Sequence, residues 1–155
     1  ANIVFTGVNT FNDNDQYGLF VVSAGAVTLS NVTANDNLFS GLYVDNTAGS
    51  AGVTLTGVNT FNNNTDNGAT IISDGAVNLT KVNANENDNS GLVVSTTGAV
   101  TLTCGSFYMN TDYGWEVTTT TSLLTLKGVF TAGNGLGPFI NNALATVTVR
   151  NCPLP

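Results

Sequence analysis

The chain has no histidine, and only three of its 155 residues are Lys or Arg. Those three, Lys81, Lys127 and Arg150, stand far apart. Nucleic acid is not expected as a partner, because phosphate binding needs clustered cations. A net charge of −7 works against anionic membrane surfaces as well. No apolar run approaches the ~20 residues of a spanning helix, so no membrane insertion is expected. The chain opens on Ala1 instead of Met and shows no leader pattern. It reads as a chain whose leader was removed, or as a piece of something longer. Charged residues make up 8 % and hydrophobic ones 42 %, the reverse of a disordered composition. Cysteine is scarce: Cys104 and Cys152 allow one disulfide.

What is present is repetition. An aliphatic–polar–aliphatic triplet recurs at Ile3-Val4-Phe5, Val27-Thr28-Leu29, Val53-Thr54-Leu55, Val77-Asn78-Leu79, Val100-Thr101-Leu102, Leu124-Thr125-Leu126 and Val147-Thr148-Val149. Starts at residues 3, 27, 53, 77, 100, 124 and 147 give a period near 24. A period of this size means a solenoid, in which each unit buries its apolar face against its neighbours. The triplet alternates and is rich in β-branched residues, so it reads as a strand. A second short apolar element follows at Val8, Val32, Val58, Val82, Phe107 and Val129. Then come Asn-rich turns, such as Asn35-Asp36-Asn37 and Asn85-Glu86-Asn87. Four residues past the last Asn stands a glycine: Gly18, Gly41, Gly68, Gly91 and Gly114. Each opens a third strand, as in Leu42-Tyr43-Val44 and Leu92-Val93-Val94.

Three short strands per coil, about six to seven coils and one domain over residues 1–155 are therefore expected. Asn tolerates left-handed backbone and bonds nearby main-chain groups. Stacked at equal positions, Asn14, Asn37, Asn64, Asn87 and Asn110 are candidates for a hydrogen-bonded ladder. Phe11, Ala34, Phe61 and Ala84 occupy equivalent places, so each ring is expected to overlie a methyl group. The segment 53–62 echoes 3–12, which marks a 50-residue super-repeat of two coils.

The pattern Gly25-Ala26-Val27-Thr28-Leu29-Ser30-Asn31-Val32-Thr33-Ala34-Asn35-Asp36-Asn37, closing with Gly41-Leu42-Tyr43-Val44, resembles the right-handed parallel β-helix repeats of the pectin-lyase-like superfamily. It is closest to repeats of large secreted bacterial surface proteins. The resemblance spans nearly the whole chain and implies the fold. It implies less about function, because that superfamily holds lyases, hydrolases, adhesins and passive stalks.

Lyases on this fold set Asp/Glu clusters around calcium with a nearby Arg or Lys, and the hydrolases use close Asp residues, often with a His. Here the three bases fall in different coils and the ten carboxylates are scattered, mostly in turns. Asp13, Asp36 and Glu86 could line one edge, but they read as solvated turn residues. Nucleophile signatures are missing, and no Cys/His pair exists. No enzyme and no cofactor are expected. Calcium is the one metal weighed, at the oxygen-rich Asn12-Asp13-Asn14-Asp15 and Asn85-Glu86-Asn87-Asp88, where an Asn ladder accounts for the same residues.

Outward positions of the triplet carry Thr28, Thr54, Thr101, Thr125 and Thr148, with Asn78 in the gap. Two residues on stand Thr6, Ser30, Thr56, Thr80 and Thr103, then Lys127 and Arg150. A rigid Thr-x-Thr array resembles the ice-binding face of antifreeze proteins, although Thr is also a good exposed strand residue. The end strands are a second feature. Ile3, Val4 and Phe5 at one rim and Val147, Val149 and Arg150 at the other are candidate end contacts, with unpaired main-chain groups that natural proteins usually hide. Residues 1–77 hold six Asp and no cation, whereas residues 117–155 hold Lys127 and Arg150 and no carboxylate. That asymmetry favours head-to-tail docking, which does not close on itself. The preferred expectation is a secreted or cell-surface structural solenoid that stacks into a filament or forms part of a stalk. The alternatives are an ice-binding protein and an adhesin module for cell-surface polysaccharide, for which Phe20, Tyr43 and Phe139 form an interrupted aromatic stripe. Cys104 and Cys152 could pin the C-terminal end or join two subunits. Asn31, Asn63 and Asn78 lie in glycosylation sequons.

Overall fold

Alternation of buried aliphatic and outward polar residues sets the strands, and the 24-residue period sets their neighbours. In Val27-Thr28-Leu29-Ser30 the Val and Leu are buried and the Thr and Ser are half-exposed. The computed structural model describes residues 1–120, 123–141, 145–148 and 152, with the strands at 139–141 and 145–148 as backbone. All pairings between strands are parallel, one coil to the next.

Sheet one takes Ile3–Val4, Val27–Ser30, Val53–Thr56, Val77–Thr80, Val100–Thr103, Leu124–Lys127 and Ala145–Thr148, in that spatial order. Sheet two runs through Asn9–Thr10, Val32–Thr33, Asn59–Thr60, Val82–Asn83, Ser106–Tyr108 and Phe130–Ala132. Sheet three runs through Leu19–Val22, Leu42–Asn46, Ala69–Ser73, Leu92–Thr96, Trp115–Thr119 and Phe139–Asn141. Chain order equals spatial order in every sheet. The molecule is an all-β, right-handed parallel β-helix of about six coils.

The interior is one continuous apolar column. Val27, Leu29, Leu42, Val44, Val53, Leu55, Ile71 and Leu102 are among its fully enclosed side chains. Phe61 and Phe107 are the largest of these, with Ala34 and Ala84 equally enclosed. The pairings Thr10 to Thr33 to Thr60 and Asn83 to Ser106 put Phe11, Ala34, Phe61, Ala84 and Phe107 in one file. Ring and methyl therefore alternate for five coils, and Thr131 pairs with Phe107 at the sixth. Phe107 belongs to this file and not to the second apolar element.

That second element needs a correction at two positions. Val8 and Val58 are exposed, by 84 % and 42 %. Asn9 pairs with Val32, and Asn59 with Val82, so the asparagines take the inward place. The first and third coils carry one extra corner residue: Gly7-Val8 stands where the second coil has Asn31 alone. Gly7 and Gly57 (φ 74° and 69°) and Asn31 (φ 50°) are all left-handed there. The buried Asn59 satisfies the widened corner, donating through Nδ2 to Thr56 O at 3.0 Å and accepting from Val32 N at 3.1 Å. This is the structural origin of the two-coil super-repeat.

A further correction concerns register at the last coil. Thr125 pairs with Thr146, Leu126 with Val147 and Lys127 with Thr148. The triplet in this coil is Ala145-Thr146-Val147, two residues earlier than its sequence resemblance suggests. A two-residue shift leaves alternation intact, so the pattern alone does not distinguish the two registers.

Candidate functional site

The Asn-rich turn is built from two files of amides around a left-handed residue. Asp13, Asp36, Asn63, Glu86 and Met109 occupy the left-handed position, with φ between 55° and 57°. The asparagine after each one forms the ladder. Asn14 Nδ2 donates to Asn37 Oδ1 at 2.8 Å, Asn37 to Asn64 at 2.9 Å, Asn64 to Asn87 at 3.1 Å and Asn87 to Asn110 at 2.9 Å. Each Oδ1 also takes the backbone N–H of the preceding asparagine, for example Asn64 N to Asn87 Oδ1 at 2.9 Å. A sixth rung, Asn134, accepts from Asn110 Nδ2 at 2.9 Å. It lies 24 residues past Asn110, within the drifted segment Gly133-Asn134-Gly135, where the three-residue Asn turn is no longer recognisable. A second file runs beside the first: Asn12, Asn35, Asn62 and Asn85 accept from the backbone of the next coil at 2.8–3.0 Å.

Gly18, Gly41, Gly68, Gly91 and Gly114 sit at the mouth of sheet three, and none has positive φ. They are glycine because coils touch there. A Cβ on Gly68 would meet Gly91 O at 2.5 Å and Phe61 O at 2.7 Å.

Sheet one presents the threonine array. Thr28, Thr54, Asn78, Thr101 and Thr125 are direct cross-strand partners, and Thr146 continues the file in place of Thr148. Thr56 and Thr103 stand in the adjacent file, where Thr148 pairs with Lys127. At the first coil the file begins with Val4, 60 % exposed.

The face of the first coil exposes the ends of the core columns. Ile3, Phe5 and Phe11 are half-buried against the core, and Phe5 stacks on Phe11 at 6.1 Å. The strands Ile3–Val4, Asn9–Thr10 and Leu19–Val22 each end the order of their sheet. At the far end Val147 lies in the last strand of sheet one, while Val149 and Arg150 lie outside the described residues. Cys104 and Cys152 are bonded within the chain, Cα to Cα 5.5 Å apart. Cys104 is left-handed (φ 59°) at the corner that follows Val100–Thr103.

An aromatic patch on the outer side of sheet three was only partly legible. Phe20 and Tyr43 are cross-strand partners whose rings stack 5.1 Å apart at 5°. Tyr17 and Phe39, from the preceding turns, complete it: Tyr17 lies 5.3 Å from Phe20, 5.4 Å from Phe39 and 5.5 Å from Tyr43. Leu38 and Val22 extend it, both more than half exposed. Spacing analysis follows strand alternation and so misses turn residues such as Tyr17 and Phe39. The side chain of Phe139 lies outside the described residues. Asp45 is the cross-strand partner of Val22. The Thr47 hydroxyl and then the Thr47 N–H, at 2.8 and 3.1 Å, hold its carboxyl below its ordinary value. Among the described residues no three His, Cys, Asp or Glu side chains gather into a metal-sized group.

Parallel coils, an internal amide ladder and outward polar strands define a β-helix repeat protein. The family model described as "Periplasmic copper-binding protein (NosD)" matches residues 1–144, and the chain belongs to that family. The membership agrees, at a coarse level, with a location outside the cytoplasm. No curated protein and no solved structure matches the chain.

Proposed function

We propose that the chain is a non-catalytic structural solenoid that works outside the cytoplasm by stacking end on end, the face of its first coil receiving the last coil of a second copy. One observation carries this reading. The first coil repeats the interior columns of its neighbours with one side of each column uncovered. Ile3, Phe5 and Phe11 are half-buried, where their counterparts Val27, Leu29 and Ala34 are fully enclosed. Among the described residues the ring–methyl file can be followed as far as Thr131 in the sixth coil. A second copy in continued register would set its Ile3–Val4 against Ala145–Thr148, the last strand of sheet one. Asn14 Oδ1, which accepts no bond among the described residues, would receive the next rung. The acidic first half and the basic tail add a favourable sense to the joint. The disulfide suits an oxidising compartment.

The family description carries copper, which takes imidazole, thiolate or thioether ligands. This chain has no histidine, its one methionine (Met109) stands alone, and both cysteines are oxidised. Its side chains do not suit a copper site. Dispersed carboxylates support the non-catalytic part of the proposal, since hydrolysis needs two facing one bond.

Sedimentation velocity over a concentration series, with negative-stain microscopy, tests the stack. Filaments one solenoid wide are expected, and Phe11→Glu should return single particles with the melting curve still cooperative. Single rods at every concentration overturn it. A second reading, ice binding, is favoured by the in-register Thr28, Thr54, Thr101 and Thr125. Thermal hysteresis that Thr54→Tyr abolishes would establish it.

A further inference from the structure

The aromatic patch on sheet three belongs neither to the end faces nor to the ladder. Farther along the same two outward files stand Thr70, Val93 and Glu116, and Ile72, Ser95 and Thr118, with Phe139 paired to Glu116 in the last strand. Large apolar groups exposed together mark an interaction surface, whereas single ones do not. Phe20 is 55 %, Val22 59 %, Leu38 57 % and Phe39 46 % exposed.

Two observations decide what covers them. The first is ring geometry. Sugars and guanidinium groups bind aromatic faces. Phe20 and Tyr43 are nearly parallel at 5.1 Å, so each spends a face on the other, and Tyr17 leans against both. What remains outward is ring edge together with the aliphatic Val22 and Leu38, which suits apolar side chains better than a sugar plane. The second is charge. Asp45 pairs with Val22 on one flank and follows Tyr43 by two residues on the same face. On the other flank Asp15 precedes Tyr17 by two residues, and Leu38 N bonds to Asn14 O beside it. No Lys or Arg occurs before Lys81. An apolar centre between two carboxylates is complementary to an apolar segment with cations on both sides. The same charges repel anionic lipid, nucleic acid and acidic glycans.

We propose that this face docks a basic polypeptide segment in which apolar side chains are flanked by Lys or Arg. Apolar groups cover Phe20, Val22, Leu38 and Phe39 while the cations reach Asp15 and Asp45. The ionised state of Asp45 at neutral pH, reinforced by Thr47, suits that role.

Fluorescence anisotropy of a labelled peptide alternating lysine with leucine and phenylalanine, titrated with the full chain, tests this. Saturable binding that weakens with salt is expected. Phe20→Ser with Phe39→Ser should weaken it at least about tenfold, and Asp15→Asn with Asp45→Asn about three- to tenfold with a flatter salt dependence. Val93→Ser, on the same sheet, should leave affinity unchanged, and far-UV dichroism melts check that each variant folds. Equal affinity across all variants, equal binding of a glutamate-for-lysine peptide, or binding of cello-oligosaccharide or phosphatidylcholine vesicles in place of the basic peptide would each overturn the proposal.

Discussion

Asn87 shows how much one side chain of the ladder carries. It is enclosed, donates to Asn110 Oδ1 and to Phe61 O at 2.9 and 3.1 Å, and accepts both N–H groups of Asn64. Asn87→Ala would leave several buried polar groups without partners, each costing about 1–3 kcal/mol. With about 2–4 °C per kcal/mol for a chain of this size, a fall in Tm on the order of 5–15 °C is expected. Asn14→Ala, at the solvated end of the same file, should cost about 1 kcal/mol or less. Thermal melts of the two variants check this, and equal shifts would mean that the ladder does not act through burial. Most of this file was readable because identical residues recur at a fixed interval. Asn134 was hidden because glycine replaces the residues that flank the other rungs. The left-handed residues were harder still, since Asp, Asn, Glu and Met share that conformation and only the fold reveals it.

At the scale of the strand and the corner, volume decides. Phe61 lies between Ala34 and Ala84, all fully enclosed. Phe61→Ala should cost about 3–5 kcal/mol by leaving a cavity between two methyl groups. Adding Ala84→Phe should not rescue it, because the new ring faces Phe107 in the next coil. Urea denaturation of the single and double variants checks both. Triplet strands and their order were plain from alternation. The corner was not, because Val8 follows the hydrophobic pattern yet points outward and Asn9 breaks it yet points inward. Each coil has a left-handed residue at this corner, and in the first and third coils one more residue, Val8 or Val58, follows it and moves the inward place on by one; apolar periodicity carries no trace of that shift. The last coil is a related case: Thr146 and Thr148 both alternate correctly, and only main-chain pairing selects Thr146.

Across the whole molecule, contacts run from coil to coil, so disturbance should stay local. The Cys104–Cys152 bond closes a span of 48 residues near the last coils. Cys104→Ser with Cys152→Ser should remove about 2–4 kcal/mol. Hydrogen exchange should quicken in Leu124–Lys127 and remain slow in Val53–Thr56. Uniform quickening would contradict a one-dimensional order. The alternation of large and small residues in the core also bears on how such a chain changes length over time. Excising residues 53–99 would bring Ala34 beneath Phe107 and keep large against small, whereas excising 53–76 would set Ala34 against Ala84 over a void. Across coils one to five, gain or loss of two coils should therefore be tolerated better than gain or loss of one.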